Sequence, residues 1–146
     1  MKKQAQNLIN LYNEKGEKHG YWEKYYDSGQ LMWKGNLVNG KREGYWEFYY
    51  PNGKLRKKGN LVNDNRHGYW EAYYSNGQLI SKGNYVNGKR EGYWEEYWSG
   101  GQLESKGNYV NGRFQKEKPV TELTMDEIVK KFEILVEQLR IKHTNQ

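Results

Sequence analysis

Three histidines and no cysteine are all that the sequence offers for thiol or imidazole chemistry. Without cysteine, disulfides, zinc-thiolate sites and a thiol nucleophile are excluded. His19 and His67 stand in the same context, directly before Gly-Tyr-Trp, where Glu43 and Glu91 stand elsewhere. If those contexts recur every two strands, four strands of about 4.8 Å put roughly 19 Å between the two imidazoles. They can neither share a metal nor act as an acid–base pair. His143 lies far along the chain, and no Ser-His-Asp, HExxH or phosphate-loop pattern occurs. A recurring Glu-Tyr-Lys surface has the groups for acid–base work, but it recurs in every unit, and catalysis needs one asymmetric site. The residues therefore point to a non-enzymatic protein with no cofactor and no metal.

What must position these residues is a repeat. The pattern G-Y-W-E-x-Y-[YW]-x-x-G-x-L-x-x-K-G-N-x-V-N starts at Gly20, Gly44, Gly68 and Gly92, giving units 20–43, 44–67, 68–91 and 92–115. Residues 1–19 hold a half unit, in which "NEKGEKHGYW" matches "LVNGKREGYW" with Gly16 in the place of Gly40. Periods in the twenties mean stacked supersecondary units that cannot bury a face alone. The chain is hydrophilic, with mean hydropathy -1.22, yet 16% of it is Phe, Trp and Tyr. Disordered chains are poor in aromatics, and an aromatic-rich, glycine-punctuated composition reads as β structure.

Two turn signals bracket two extended segments in each unit. The first is Ser28-Gly29, with Asn52-Gly53, Asn76-Gly77 and Gly100-Gly101. The second is Asn39-Gly40, Asn87-Gly88 and Asn111-Gly112, with Asn63-Asp64 as the exception. Such dipeptides supply the positive φ that tight hairpins need. The fold class is therefore mainly β: a twisted antiparallel meander of hairpins, with a short helical segment at the C-terminal end. A two-residue first turn pairs Tyr26 with Leu31, Lys24 with Trp33, Glu23 with Lys34 and Trp22 with Gly35. The same register pairs Glu47, Glu71 and Glu95 with Lys58, Lys82 and Lys106. It also sets Trp46, Trp70 and Trp94 opposite Gly59, Gly83 and Gly107. Opposite charges support a ladder, and an indole covers strand backbone that has no side chain.

Alternation separates two faces. Trp22, Tyr26, Leu31, Gly35 and Leu37 form the packed one. Tyr21, Glu23, Tyr25, Lys34, Asn36 and Val38 form an amphipathic one. Candidate partner-binding residues are Tyr21, Tyr25, Tyr45, Tyr49, Tyr69, Tyr73, Tyr93 and Tyr97, with Phe48 and Trp33. The last two sit at positions that vary between units: Lys24, Phe48, Ala72, Glu96 on one strand and Trp33, Lys57, Ser81, Ser105 on the next. A held framework with varied central positions suits a recognition surface, and relaxed constraint gives the same pattern. A candidate basic edge comprises Lys41, Arg42, Arg56, Lys57, Arg66, Lys89, Arg90 and Arg113. Positive charge concentrates in the second unit and fades toward Glu95, Glu96 and Glu104.

The strings G-x-W-x-x-Y-x-x-G-x-L and G-x-x-x-N-G-K-x-x-G-x-W resemble the MORN repeat, specifically the variant found in bacterial antitoxin-like proteins. The resemblance spans about residues 8 to 115. It implies one twisted antiparallel sheet with a hairpin per repeat, and a toxin or effector protein as the partner neutralised. Two departures stand out: Asp64 for glycine, expected to loosen one turn, and the altered exit "NGRFQKEK", expected to stop the array.

Beyond the repeats, 116–123 reads as a polar connector in which Pro119 closes the sheet. Residues 124–146 read as helical. Thr124 and Glu127 form a capping box, and Ile128, Phe132, Leu135, Val136 and Leu139 make the apolar stripe. One helix or two both fit. The segment caps the array or supplies a dimer contact, as a sheet edge also would. The start "MKKQAQNLINLY" has no apolar leader core, so a cytoplasmic chain is expected. Another protein is the expected partner; anionic lipid or nucleic acid on the basic edge, and a purely structural scaffold, are the alternatives.

Overall fold

A computed structural model describes residues 9–116 and 123–144, with side chains to residue 137. Residues 1–8, Pro119 and the side chains of Leu139 and His143 lie outside the described residues. The repeats form one open, ten-stranded antiparallel sheet in sequence order. Its strands are β1 (Leu11–Tyr12), β2 (Lys18–Tyr25), β3 (Leu31–Val38), β4 (Lys41–Tyr49), β5 (Leu55–Val62), β6 (Asn65–Tyr73), β7 (Leu79–Val86), β8 (Lys89–Tyr97), β9 (Leu103–Val110) and β10 (Arg113–Gln115).

The Asn-Gly turns are the two-residue kind, with φ of 50° and 78° at Asn39 and Gly40. Two positive φ values match the twist of the flanking strands. Asp64 does not loosen its turn. It holds φ 67°, and its carboxylate accepts from Arg42 Nε at 2.6 Å and the Arg42 backbone N–H at 3.2 Å. Aspartate tolerates this region better than most residues, and the two bonds hold it there.

The first turn differs from expectation. Gly29 N–H donates to Tyr26 O, and Tyr26 N–H donates to Gln30 O, so the loop is Asp27-Ser28-Gly29, three residues long. Gly29 takes φ 84° as the bulge glycine of such a loop. Tyr25, not Tyr26, therefore faces Leu31. Met32 then has no opposite residue, and that extra residue restores the register. Lys24 faces Trp33, Glu23 faces Lys34 and Trp22 faces Gly35, as expected. Arg56, Ile80 and Glu104 are skipped in the same way.

Between units a second irregularity appears. Gly35 faces Trp46, but Asn36 faces Glu43, so Gly44 and Tyr45 are extra on β4. The same step recurs at Gly68-Tyr69 and Gly92-Tyr93. This leaves the Asn36 carbonyl to the indole N–H of Trp46 at 3.1 Å; Trp70 and Trp94 donate likewise to Asn60 at 2.8 Å and Asn84 at 3.0 Å.

The indoles do not cover the glycine of their own hairpin. Trp46 lies over Gly35, Trp70 over Gly59 and Trp94 over Gly83, each glycine belonging to the preceding unit. The ring therefore stacks repeat on repeat instead of closing a hairpin. Trp22 has only the half unit before it, and meets the Tyr12 ring edge-on at 5.1 Å and the Leu11 carbonyl at 2.9 Å. At the other end Phe114 covers Gly107. Trp22, Leu37, Trp46, Leu61 and Trp70 form the buried cluster.

The C-terminal residues form a separate unit. It contains one continuous helix, α1 (Met125–Thr144), which resolves the choice between one helix and two. Thr124 N–H donates to the Glu127 carboxylate at 2.8 Å, and Glu127 N–H donates to Thr124 Oγ1 at 3.3 Å. This reciprocal pair satisfies two donors at the helix start. Ile128, Phe132 and Leu135 line an apolar groove with Leu123 and Lys131. Among the described residues, no helix is long and apolar enough to cross a membrane.

Candidate functional site

The two faces of the sheet offer different chemistry. On one, Tyr21, Tyr45, Tyr69 and Tyr93 recur once per unit, the last three each about 50% exposed. Successive members stand two strands apart, about 10 Å. Between Tyr21 and Tyr45 lies a groove of about 240 Å³ lined by Lys34, Gly35 and Glu47. Val38, Val62, Val86 and Val110, exposed on the same face, continue the apolar content toward the Asn-Gly turns.

A charged row crosses the middle of this face. Glu23, Lys34, Glu47, Lys58, Glu71, Lys82, Glu95 and Lys106 alternate strand by strand in register. The ion pairs close between units: Lys34–Glu47 at 2.7 Å, Lys58–Glu71 at 2.8 Å and Lys82–Glu95 at 2.7 Å. The hairpin pairs expected from the sequence are opposed in register, but these shorter contacts belong to the next strand. Each carboxylate also accepts from a tyrosine two residues on: Tyr49 at 2.7 Å, Tyr73 at 2.7 Å and Tyr97 at 2.6 Å, with Tyr25 bonded likewise to Glu23. Tyr25, Tyr49, Tyr73 and Tyr97 are thus tied into the row, whereas Tyr45, Tyr69 and Tyr93 make no such bond.

Partial burial disfavours ionisation of Glu47 and Glu71, but hydrogen bonds from Lys34 or Lys58 and from the neighbouring tyrosine outweigh it and hold both carboxyls below their ordinary value. At Glu95 the bonds from Lys82 and Tyr97 dominate, with the same result. A carboxyl whose native pKa is depressed adds stability above its unfolded pKa, and that stability is lost as pH falls through the native value. The denaturant midpoint should therefore hold from neutral pH down to the ordinary carboxyl value near 4.5 and fall below it. Glu71→Gln should shrink the acid drop while lowering the midpoint at pH 7. An acid limb unchanged by Glu71→Gln would contradict this.

The other face carries the indoles. Trp33 and Phe48 belong here, not with the tyrosines: Trp33 lies 5.4 Å from Trp46 and Phe48 stacks on it at 5.9 Å. The candidate basic edge is likewise dispersed. Arg42 is paired with Asp64. Arg66 lies over the rings of Trp70 and Tyr85, and Arg90 over those of Trp94 and Tyr109. Arg56 stands over Tyr50 and Lys57 over Phe48. Lys41, Lys89 and Arg113 begin β4, β8 and β10 beside the Asn-Gly turns, where Lys41 and Lys89 are exposed. Among the described residues no His, Asp or Glu cluster could hold a metal ion.

Residues that sequence reasoning missed lie at unit junctions. Tyr26, Tyr50 and Tyr74 each donate their hydroxyl to a carbonyl of the next unit, at Tyr49, Tyr73 and Tyr97. Their 24-residue spacing signalled a common role, and the sequence pattern held no acceptor to name it. Phe114 replaces the next unit's tryptophan at the last strand glycine. A ring-sized residue just after the final turn was the available signal.

A family model for the MORN repeat variant matches residues 18–39, 42–63, 66–87 and 90–111. These spans run from the strand after one second-type turn, through a first-type turn, to the next second-type turn, so each matched repeat is one hairpin. No curated protein matches the chain.

Proposed function

The chain belongs to the MORN repeat variant family, and from that premise we propose that it is a non-enzymatic module that holds another protein, acting as an antitoxin-like or inhibitor protein toward it. The observation that carries this reading is the row Tyr45, Tyr69 and Tyr93, about half exposed and flanked by exposed Val62 and Val86. Tyrosine supplies large, rigid contact area with a polar end, and aromatic anchors dominate interface energetics. A regular row of exposed rings and valines of this kind marks a protein contact more readily than singly scattered exposed side chains do. Arg42 and Arg90 are already paired with Asp64 and Glu96, which lends the anionic lipid or nucleic acid alternative less support.

The test uses the tagged full chain as bait in lysate of its source cells, washed at low and high salt, beside a Tyr45→Ser/Tyr69→Ser variant. The expected result is a discrete protein retained at high salt and lost with the variant, since an interface centred on tyrosine is not driven by screened charge. Nucleic acid or lipid that elutes with salt would overturn the reading. So would a protein held equally by the variant, or no capture at either salt, which would leave a structural spacer.

A further inference from the structure

The fourth unit carries on its tryptophan face a carboxylate that the third unit lacks. Arg90 Nη1 donates to Glu96 Oε1 at 2.7 Å and to the Tyr109 hydroxyl at 2.9 Å. Ser105 Oγ donates to the other Glu96 oxygen at 2.9 Å. One unit earlier, Arg66 Nη1 donates to the Tyr85 hydroxyl at 2.7 Å, and Ser81 stands where Ser105 stands. The place of Glu96 is taken by Ala72, which faces Ser81 across the strand pair as Glu96 faces Ser105. The arginine, the tyrosine and the serine are repeated; the carboxylate is missing.

A cavity of about 40 Å³ opens there, lined by Lys57, Arg66, Ala72, Ser81, Tyr85 and Glu71, whose carboxylate is already bonded to Lys58 and Tyr73. At about 10–15 Å³ per water-sized group, it has room for roughly three, the carbon and two oxygens of a carboxylate. Phe48 stands at the equivalent position of the second unit and Lys24 at that of the first. Lys57 faces Ala72 from the other neighbouring strand, and neither it nor Arg66 makes an ion pair among the described residues. Burial, then the nearby charges of Arg66, Arg56 and Arg42, lower the pKa of Lys57 to about 8. Ring contacts and the Tyr85 hydroxyl compensate these cations in part; an incoming carboxylate would offset the remaining cost of like charges gathered at a partly buried site.

We propose that this notch binds an acidic side chain of a partner polypeptide, its carboxylate taking the position beside Arg66 and Ser81 that Glu96 takes beside Arg90 and Ser105. The notch lies on the face opposite the exposed tyrosines, so this site goes beyond the function proposed above and stands or falls separately. The bound carboxylate accepts from Arg66 on one oxygen and Ser81 on the other, with Lys57 supplying a charge that the fourth unit does not have. A planar two-oxygen acceptor fits that template.

The probe is an acetylated, amidated peptide of alternating Glu and Gly, titrated into the full chain while the indole N–H resonances of Trp70 and Trp94 are followed by NMR. The Glu peptide is expected to shift them saturably, and the same peptide with Gln is not. Ala72→Glu supplies the missing carboxylate within the chain and copies the fourth unit, so it should fold and weaken peptide binding at least about tenfold, the loss of a charge-assisted hydrogen bond. Lys57→Gln, a second variant at a partly buried position, should weaken it several-fold. Absence of any shift at millimolar peptide, equal binding of the Gln peptide, or undiminished binding to both variants would each overturn the proposal. None of these outcomes bears on the lysate experiment, which reads the tyrosine face.

Discussion

Trp70→Ala is expected to lower the unfolding free energy by about 3–5 kcal/mol, the range for removing a buried aromatic side chain. Trp70 is 3% exposed, spans Gly59 of the preceding unit and donates its N–H to Asn60. Truncation therefore opens a cavity over bare strand backbone and leaves a carbonyl without its partner. In a repeat array, stability is a sum of unit terms and nearest-neighbour terms, and Trp70 carries much of the neighbour term between the second and third units. Against a total of about 5–15 kcal/mol, the loss should also uncouple the two halves. Urea unfolding followed by circular dichroism should then show a lower midpoint and a shallower slope. Trp22→Ala should cost less, because Trp22 is 8% exposed and only a half unit precedes it. A Trp70→Ala loss below about 0.5 kcal/mol, within the scatter of ordinary surface substitutions, would contradict this account of the core.

Most of the sheet could be read from the chain because two signals agree at each turn and strand. Asn-Gly fixes one turn, and the fixed 24-residue spacing forces every unit into the same register. The other turn shows how a correct register can rest on an incorrect loop. A three-residue loop and the unpaired Met32 cancel, leaving Glu23 opposite Lys34 just as a two-residue loop would. Pairings near the tryptophan thus survived the error, while Tyr26 was misplaced. Which neighbour an indole covers was beyond reach of pattern alone. Each tryptophan from Trp46 to Trp94 stands in register between two glycines, and only the extra Gly44-Tyr45 step sets the lean toward the earlier unit.

The candidate surface was legible in the same uneven way. The tyrosines at the start of each unit could be assigned to the amphipathic face because alternation is strict there. Trp33 and Phe48 joined them on the ground that their positions vary, yet variation carries no information about which way a side chain points. Their parity with Trp46 did, and the ring contacts follow it. The arginines after the Asn-Gly turns looked like a free edge in sequence. Rings on the same strand and on the next one recruit Arg66 and Arg90 onto the tryptophan face, because a weakly hydrated guanidinium gains by stacking. That Ala72 differs from Glu96 is visible in the chain. That the difference leaves an arginine and a serine facing an empty place emerges only when Arg90, Glu96 and Ser105 are seen bonded together.

Gly35→Ala should be among the most damaging of small substitutions, costing about 1–3 kcal/mol or more through overpacking. An added Cβ would fall under 3.0 Å from three ring atoms of Trp46, the most deeply buried side chain of the sheet. Trp46 cannot swing aside, since Trp33 and Phe48 pack against it and its N–H is bonded to Asn36. Gly35 has no left-handed φ, so the cost is one of space, and backbone strain adds nothing to it. Steric origin makes the effect dependent on the ring: in a Trp46→Leu background the same change should cost less than half as much, a coupling of about 1 kcal/mol or more in a double-mutant cycle. Gly107→Ala provides the internal comparison. Its added Cβ meets Phe114, which is 52% exposed on the last strand and free to move outward. That substitution should cost clearly less than Gly35→Ala although both glycines hold the same place in the repeat. Equal losses at the two sites, or additivity in the cycle, would mean that the glycines serve the strand backbone and not the indole stack. The ordering Gly35 above Gly107 is the quantity to read from urea midpoints, because it compares two identical chemical changes that differ only in whether the covering ring can yield.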